Sequence, residues 1–97
     1  MDIEVIKFMK QYQISDLEIE DVKNIAPMMD VTSYNDFILN CKLLIKYGYP
    51  KSDLDVLLLA NPNIFVMTSK DLERDLKKLQ NKFGDIEIIL KENPTII

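Results

Sequence analysis

Several residue types that carry protein chemistry are scarce in this 97-residue sequence. Histidine and tryptophan are absent, and Cys41 is the only cysteine. Without histidine or a second cysteine, neither the usual ligand sets of a zinc site nor the usual base of a nucleophilic triad can be assembled. An intrachain disulfide is also excluded. Cys41 occupies an apolar helix position, which favours an inert buried thiol over a reactive or intermolecular one.

Glycine is scarce as well, and no apolar run is long. The two glycines, Gly48 and Gly84, lie too far apart for a phosphate-binding glycine-rich loop. The longest apolar run covers only residues 56–60, whereas a membrane-spanning helix needs about 20 apolar residues. Residues 1–4 are acidic, where a signal peptide would be basic. We therefore expect a cytoplasmic, non-enzymatic protein without a cofactor, a metal site or a membrane segment.

The charge is acidic overall and unevenly distributed. The net charge is −4, and apolar residues make up 47% of the chain, which is typical of one globular domain. Residues 1–41 carry three lysines against eight carboxylates, while residues 42–97 carry nine basic residues against eight. Neither part has the basic excess that binding to a phosphate backbone favours. Abundant Ile, Lys and Asn with little Gly is typical of AT-rich bacterial genomes.

Hydrophobic periodicity predicts an all-α fold of about six helices. Capping residues set their limits: Ser15 and Glu18 form a capping box, and Gly48 and Gly84 each follow a helix end. The predicted helices cover about residues 2–12, 16–25, 34–47, 52–60, 69–83 and 85–92.

The expected core follows from the phases of these helices. Leu57 and Leu76 are predicted to be buried, and the helix of residues 52–60 is apolar nearly all round, which predicts a central position. The predicted apolar faces also include Ile25, Ile45 and Phe83. The segment of residues 64–67 is interpreted as an apolar turn packed into the core, with a short strand as the alternative.

The order of caps and prolines recurs along the chain. Pro27, Pro62 and Pro94 are 35 and 32 residues apart, and similar Ser or Thr caps precede and follow the first two. This favours a helical repeat with units at about residues 12–47 and 48–83 and a partial unit at 84–97. The alternative is that a small helical protein uses such caps and turns by coincidence.

The Leu, Gly and Pro pattern resembles the mitochondrial transcription termination factor (mTERF) family of helical repeats. The resemblance covers a little over half the chain and lies in Leu44-x-x-x-Gly48, Asn61-Pro62-x-Ile64, Leu72-x-x-x-Leu76-x-x-Leu79, Phe83-Gly84 and Asn93-Pro94-x-Ile96. It implies an all-α solenoid and, on a basic concave surface, binding of double-stranded nucleic acid. This chain has only about two and a half units and is acidic, so a protein partner or self-association is the preferred function, with nucleic acid as the alternative.

Two groups of residues are candidate binding surfaces. An incomplete last unit would leave apolar residues uncovered, and these are expected to contact a protein partner or a second copy: Ile86, Ile89, Leu90, Ile96 and Ile97. The second group is a basic strip on the helix of residues 69–83, suited to phosphate or to an acidic partner helix: Lys70, Arg74, Lys77, Lys78 and Lys82. Nearby carboxylates also allow an ordinary solvated face.

Overall fold

The chain folds into seven α-helices and contains no β-strand, which confirms the all-α prediction. The computed structural model describes residues 1–97. The helices are α1 (Ile3–Gln11), α2 (Asp16–Ile25), α3 (Tyr34–Lys46), α4 (Leu54–Ala60), α5 (Asn63–Val66), α6 (Ser69–Phe83) and α7 (Ile86–Glu92). Two 3₁₀ turns, Pro27–Asp30 and Lys51–Asp53, precede α3 and α4.

Local sequence signals set the helix ends as predicted. Ser15 and Glu18 form a reciprocal capping box at the start of α2. Gly48 and Gly84 have φ angles of 102° and 89°, a region that L side chains rarely adopt. Each glycine therefore ends its helix and allows the chain to reverse.

Helix α5 is an addition to the six predicted helices. It is a single turn at residues 63–66, where the sequence analysis expected an irregular turn, and the strand alternative is wrong. Ile64 and Phe65 are fully buried, as expected of a segment packed into the core. Four residues are too few to show a helical period, so the local pattern could not specify this conformation.

The helices lie in two rows. In one row α3 packs between α1 and α6, and in the other α2 packs against α4. Helix α7 packs on α6 and continues the second row, because the Lys91 Nζ lies 2.7 Å from an Asp53 carboxylate oxygen just before α4. The chain thus repeats one order of elements: a short helix, a helical turn with a proline, a long helix and a glycine. The first set ends at Gly48 and the second at Gly84.

The core lies between the two rows and runs along the whole molecule. Phe37 is at its centre, with ring centroids 5.1 Å from Phe8 and 5.6 Å from Phe65. Leu57 and Leu76 are buried as predicted. One cluster of 19 buried side chains joins α1 to α7, so every helix is anchored in the same core.

Five apolar residues on the predicted faces are instead exposed. Ile25, Ile45, Val56, Leu59 and Phe83 are each at least 36% accessible. A helix in a two-row array is covered only on the side that faces its neighbours, so a wide apolar stripe extends beyond the contact. The predicted central position of α4 holds for its inward side, where Leu57 and Leu58 are buried, but its outward side is exposed at Val56 and Leu59 for the same reason.

Candidate functional site

Four of the five residues of the basic strip share one surface depression. Lys70, Arg74, Lys77 and Lys78 line a hollow of about 380 Å³ along α6, together with Glu73 and Asn81. Lys82, the fifth, is not among them. Its Nζ lies 5.2 Å from the centroid of the Phe83 ring, in a cation–π arrangement.

The carboxylates of α6 neutralise only part of this strip. Arg74 forms ion pairs with Asp71 at 3.1 Å and with Asp75 at 3.5 Å. Lys70, Lys77 and Lys78 have no carboxylate within ion-pairing distance. The solvated-face interpretation therefore fits Arg74, whereas the three lysines are free to meet an incoming anion.

Glu73 lines the hollow beside those lysines, and its carboxylate is held by residues of α3 and its C-terminal end. The Lys46 ammonium lies 3.3 Å from a Glu73 carboxylate oxygen, and the Tyr47 hydroxyl donates to the same oxygen at 3.2 Å. The hydrogen bond from Lys46 is the main reason that the pKa of Glu73 lies below its usual range, and Tyr47 contributes in the same direction. This pair bridges α3 and α6.

Beside the basic hollow lies an apolar floor supplied by α3. Leu39 and Leu43, one turn apart, line a hollow of about 280 Å³ with Ser69, Lys70 and Glu73. Leu39 is 43% exposed and Leu43 is half-buried. Because the two hollows share Lys70 and Glu73, they form one continuous surface. We call it the α3/α6 groove; it comprises Leu39, Leu43, Ser69, Lys70, Glu73, Arg74, Lys77, Lys78 and Asn81.

The groove extends past the start of α6. A further hollow of about 280 Å³ shares Ser69 with it and is lined by apolar residues of two successive turns, Met28 and Val31 before α3 and Val66 and Met67 before α6. The surface therefore runs from an apolar end near the proline-containing turns to a basic end on α6.

The predicted apolar partner surface at the end of the chain is largely covered. Ile86 and Leu90 are only 1% exposed and belong to the core, because α7 packs its apolar side against α6. Ile89 and Ile97 are half-buried, and Ile96 is 37% exposed. The expectation of an open apolar end is thus wrong for Ile86 and Leu90.

The last residues are also tied to the body of the protein. The Asn61 side chain donates to the carbonyl of Pro94 at 2.9 Å, and Ile97 packs against the core. Residues 93–97 are thus held against the body of the protein, whereas the sequence predicted an uncovered apolar end. The most exposed apolar residue of α7 is Ile88, at 52%.

Three other properties of the molecule concern a reactive thiol, a metal site and a membrane-spanning helix. Cys41 is buried, and desolvation raises the pKa of its thiol to about 12, so the thiolate that could react is disfavoured. No group of three Asp, Glu or Cys side chains is arranged to hold a metal ion. None of the helices is both long enough and apolar enough to cross a membrane.

The sequence analysis missed the α3 side of the groove. Leu39, Lys42, Leu43 and Lys46 follow helical spacing, at i, i+3, i+4 and i+7, so they share one side of α3. That periodicity was readable, but the stronger stripe through Phe37 and Leu44 defined the helix. Only the packing of α3 against α6 brings Leu39 and Leu43 beside the basic strip.

Comparison with known proteins does not assign a family. No family model matches the chain, and neither a curated protein nor a solved structure matches it.

Proposed function

We propose that the protein is a non-enzymatic helical-repeat binding module whose α3/α6 groove receives an acidic amphipathic helix of a protein partner. One observation carries the proposal: two accessible leucines, Leu39 and Leu43, adjoin three lysines that lack carboxylate partners. A helix laid into a groove needs apolar anchors on one side and charges at the rim. We place the module in the cytoplasm, since a single cysteine without a disulfide partner is compatible with a reducing compartment.

The two kinds of contact have different roles. Covering a leucine side chain contributes up to about 1.5–3 kcal/mol when burial is complete, so Leu39 and Leu43 supply affinity. Rim charges contribute less at equilibrium, about 0.2–1 kcal/mol per exposed pair, but they select an acidic partner and speed its approach. Lys70, Lys77 and Lys78 therefore determine the sign of the partner's charge.

The test uses a fluorescent amphipathic helical peptide with leucines on one side and glutamates flanking them. We expect saturable binding that weakens with salt, and much weaker binding of the same peptide with lysines in place of the glutamates. Lys77→Glu should weaken binding about tenfold or more, since one reversed charge acts on several glutamates. Lys51→Glu is the matched control, because Lys51 is exposed and lies outside the groove. Equal binding of both peptides, or equal loss in both variants, would contradict the proposal.

The second candidate function is binding of double-stranded nucleic acid, as the resemblance to mTERF repeats implies. The clustering of Lys70, Arg74, Lys77 and Lys78 on one surface favours it. The net charge of −4 opposes it, and few phosphates can be neutralised by so few free cations. The first candidate is therefore preferred.

Titration with duplex DNA and duplex RNA separates the two functions. We expect dissociation constants of roughly 10⁻⁴ M or weaker at physiological salt, in the range of non-specific binding. Submicromolar, duplex-selective binding that is lost in both Arg74→Ala and Lys78→Ala would favour the nucleic-acid function instead.

A further inference from the structure

The outward sides of the two helix rows carry opposite charge. Helix α2 has four carboxylates against one lysine, a net charge of −3. Helices α3 and α6, which form the groove, together have seven basic residues against four carboxylates, a net charge of +3. The one lysine of α2, Lys23, is already paired with Glu20 and Asp30. The protein thus has an acidic side and a basic side.

The acidic side also presents uncovered apolar residues. Leu17 is 79% exposed and Ile25 is 56% exposed, and with Asp21 they follow at i, i+4 and i+8 along one side of α2. Ile25 and Leu59 of α4 line a hollow of about 340 Å³ whose polar wall includes Glu18 and Asp21. The outward side of α2 therefore carries two exposed apolar residues, Leu17 and Ile25, with the carboxylate of Asp21 between them.

These properties match the partner proposed for the α3/α6 groove. We propose that this partner is a second copy of the chain, whose α2 docks on the groove through the side that carries Leu17, Asp21 and Ile25, so that its apolar residues cover the leucines of the floor and its carboxylates meet the lysines. This inference rests on the proposed function of the groove. Opposite charges on the two surfaces and the exposed apolar residues on each are the observations that support it.

The position of the two surfaces determines the kind of assembly. Helices α2 and α4 pack together and α3 and α6 pack together, and the acidic and basic surfaces share no lining residue, so we place them on different sides of the molecule. One molecule cannot bring them together, and after pairing each copy keeps one free surface: one copy has a free groove and the other a free α2. The association is therefore head-to-tail, which forms open chains or rings rather than a symmetric dimer. With one helix in one groove, the interface is small and the association is weak and concentration-dependent.

Two variants that each lose one surface test this geometry. Leu39→Glu places a carboxylate on the groove floor, and Leu17→Glu places one on the outward side of α2. Both residues are accessible, so we expect both variants to fold, which circular dichroism would verify. Ile3→Glu is the matched control, since Ile3 is 65% exposed on α1, which lines neither surface.

Sedimentation velocity over roughly two decades of protein concentration is the measurement. We expect the parent and Ile3→Glu to form growing assemblies, and each single variant to remain monomeric. An equimolar mixture of the two variants should form a dimer and stop there, because it contains one intact groove and one intact α2 per pair. Added salt should weaken the assemblies.

Three results would overturn the inference. These are variants that assemble like the parent, a mixture that stays monomeric, and a parent that stays monomeric at the highest concentration. If the parent stays monomeric while its groove binds the acidic peptide, self-association is wrong and the proposed function stands. If neither the peptide nor a second copy binds, both are wrong.

Discussion

Asn40 is a buried polar residue on which the packing of α3 against the turn before α6 depends. Its side chain is 1% exposed, and its Nδ2 lies 3.3, 3.2 and 2.8 Å from the carbonyl oxygens of Ile64, Phe65 and Met67. The Oδ1 of the same amide has no hydrogen-bond partner. Helix α5 is one turn long and cannot satisfy its own last carbonyls, so Asn40 supplies the donors.

The cost of removing this amide follows from that geometry. Two N–H groups serve three carbonyls, and each made hydrogen bond contributes about 0.5–1.5 kcal/mol net. Asn40→Ala should therefore lower the free energy of unfolding by about 1–3 kcal/mol. Removing the amide leaves three carbonyls without this donor, which moves the cost towards the upper end of that range, and the loss of the unpaired Oδ1 offsets part of it.

Asn40→Asp should cost more than Asn40→Ala at neutral pH. It keeps the shape of the side chain but directs a carboxylate at three carbonyl oxygens in a buried site. Burial and those carbonyls should raise the pKa of the introduced carboxyl above the unfolded value of about 3.9. The stability of this variant should therefore be highest below that value and fall as pH rises, by about 1.4 kcal/mol per unit until the folded pKa is reached.

Urea denaturation followed by far-UV circular dichroism, at pH 4 and pH 7, measures both effects. Asn35→Ala is the control, because Asn35 is on the same helix but exposed. It should change stability by less than about 0.5 kcal/mol. An Asn40→Ala protein as stable as the parent, or an Asn40→Asp protein with no pH dependence beyond the parent's, would refute the role given to this amide.

Three further predictions concern the core, the thiol and the acid range. Leu76→Ala should cost about 2–5 kcal/mol and Lys77→Ala almost nothing in the same denaturation assay, since Leu76 is fully buried and Lys77 exposed; equal stabilities would contradict the assigned core. Cys41 should resist a thiol reagent at neutral pH until the protein unfolds, and fast labelling of the native state would show that the site opens. Asp2 accepts hydrogen bonds from the backbone N–H groups of Tyr34 and Glu4, and these bonds lower the pKa of its carboxyl. The stability that the ionised Asp2 contributes should therefore be present above about pH 4. It should be lost as the pH falls through the pKa of Asp2 in the folded protein. Asp2→Asn should therefore have a lower free energy of unfolding than the parent at pH 7, and this difference should become smaller as the pH is lowered. A difference that stays the same at all pH values would contradict the role given to Asp2.

Much of the fold could be predicted from the sequence because its signals are local. The capping box at Ser15, the Thr68 cap of α6 and the glycines that end α3 and α6 act within one helical turn. Helix α5 and Asn40 could not be predicted in this way. A polar residue in the Phe37 to Leu44 stripe indicates a buried amide, but its partners lie 24–27 residues ahead and are known only from the packing.

The candidate site could be predicted from the sequence only where it depends on a single helix. The basic strip is a property of α6 alone and was visible in its sequence. The apolar floor depends on which side of α3 adjoins α6, and that relation is tertiary. The prediction of an exposed apolar end was wrong for Ile86 and Leu90 because the packing of α7 on α6 buries both residues. An incomplete repeat unit does not by itself imply an exposed apolar end.

The two buried polar residues connect the fold to the proposed site. Asn40 and Asn61 both donate to carbonyls further along the chain, 27 residues ahead at Met67 and 33 residues ahead at Pro94. Asn40 follows Leu39 of the groove floor, and Met67 directly precedes the Thr68 cap of α6. The Asn40 amide thus fixes the distance between the floor supplied by α3 and the basic rim supplied by α6. A change at Asn40 that leaves the protein folded should still disturb the groove, because no other buried side-chain hydrogen bond joins α3 to the segment before α6.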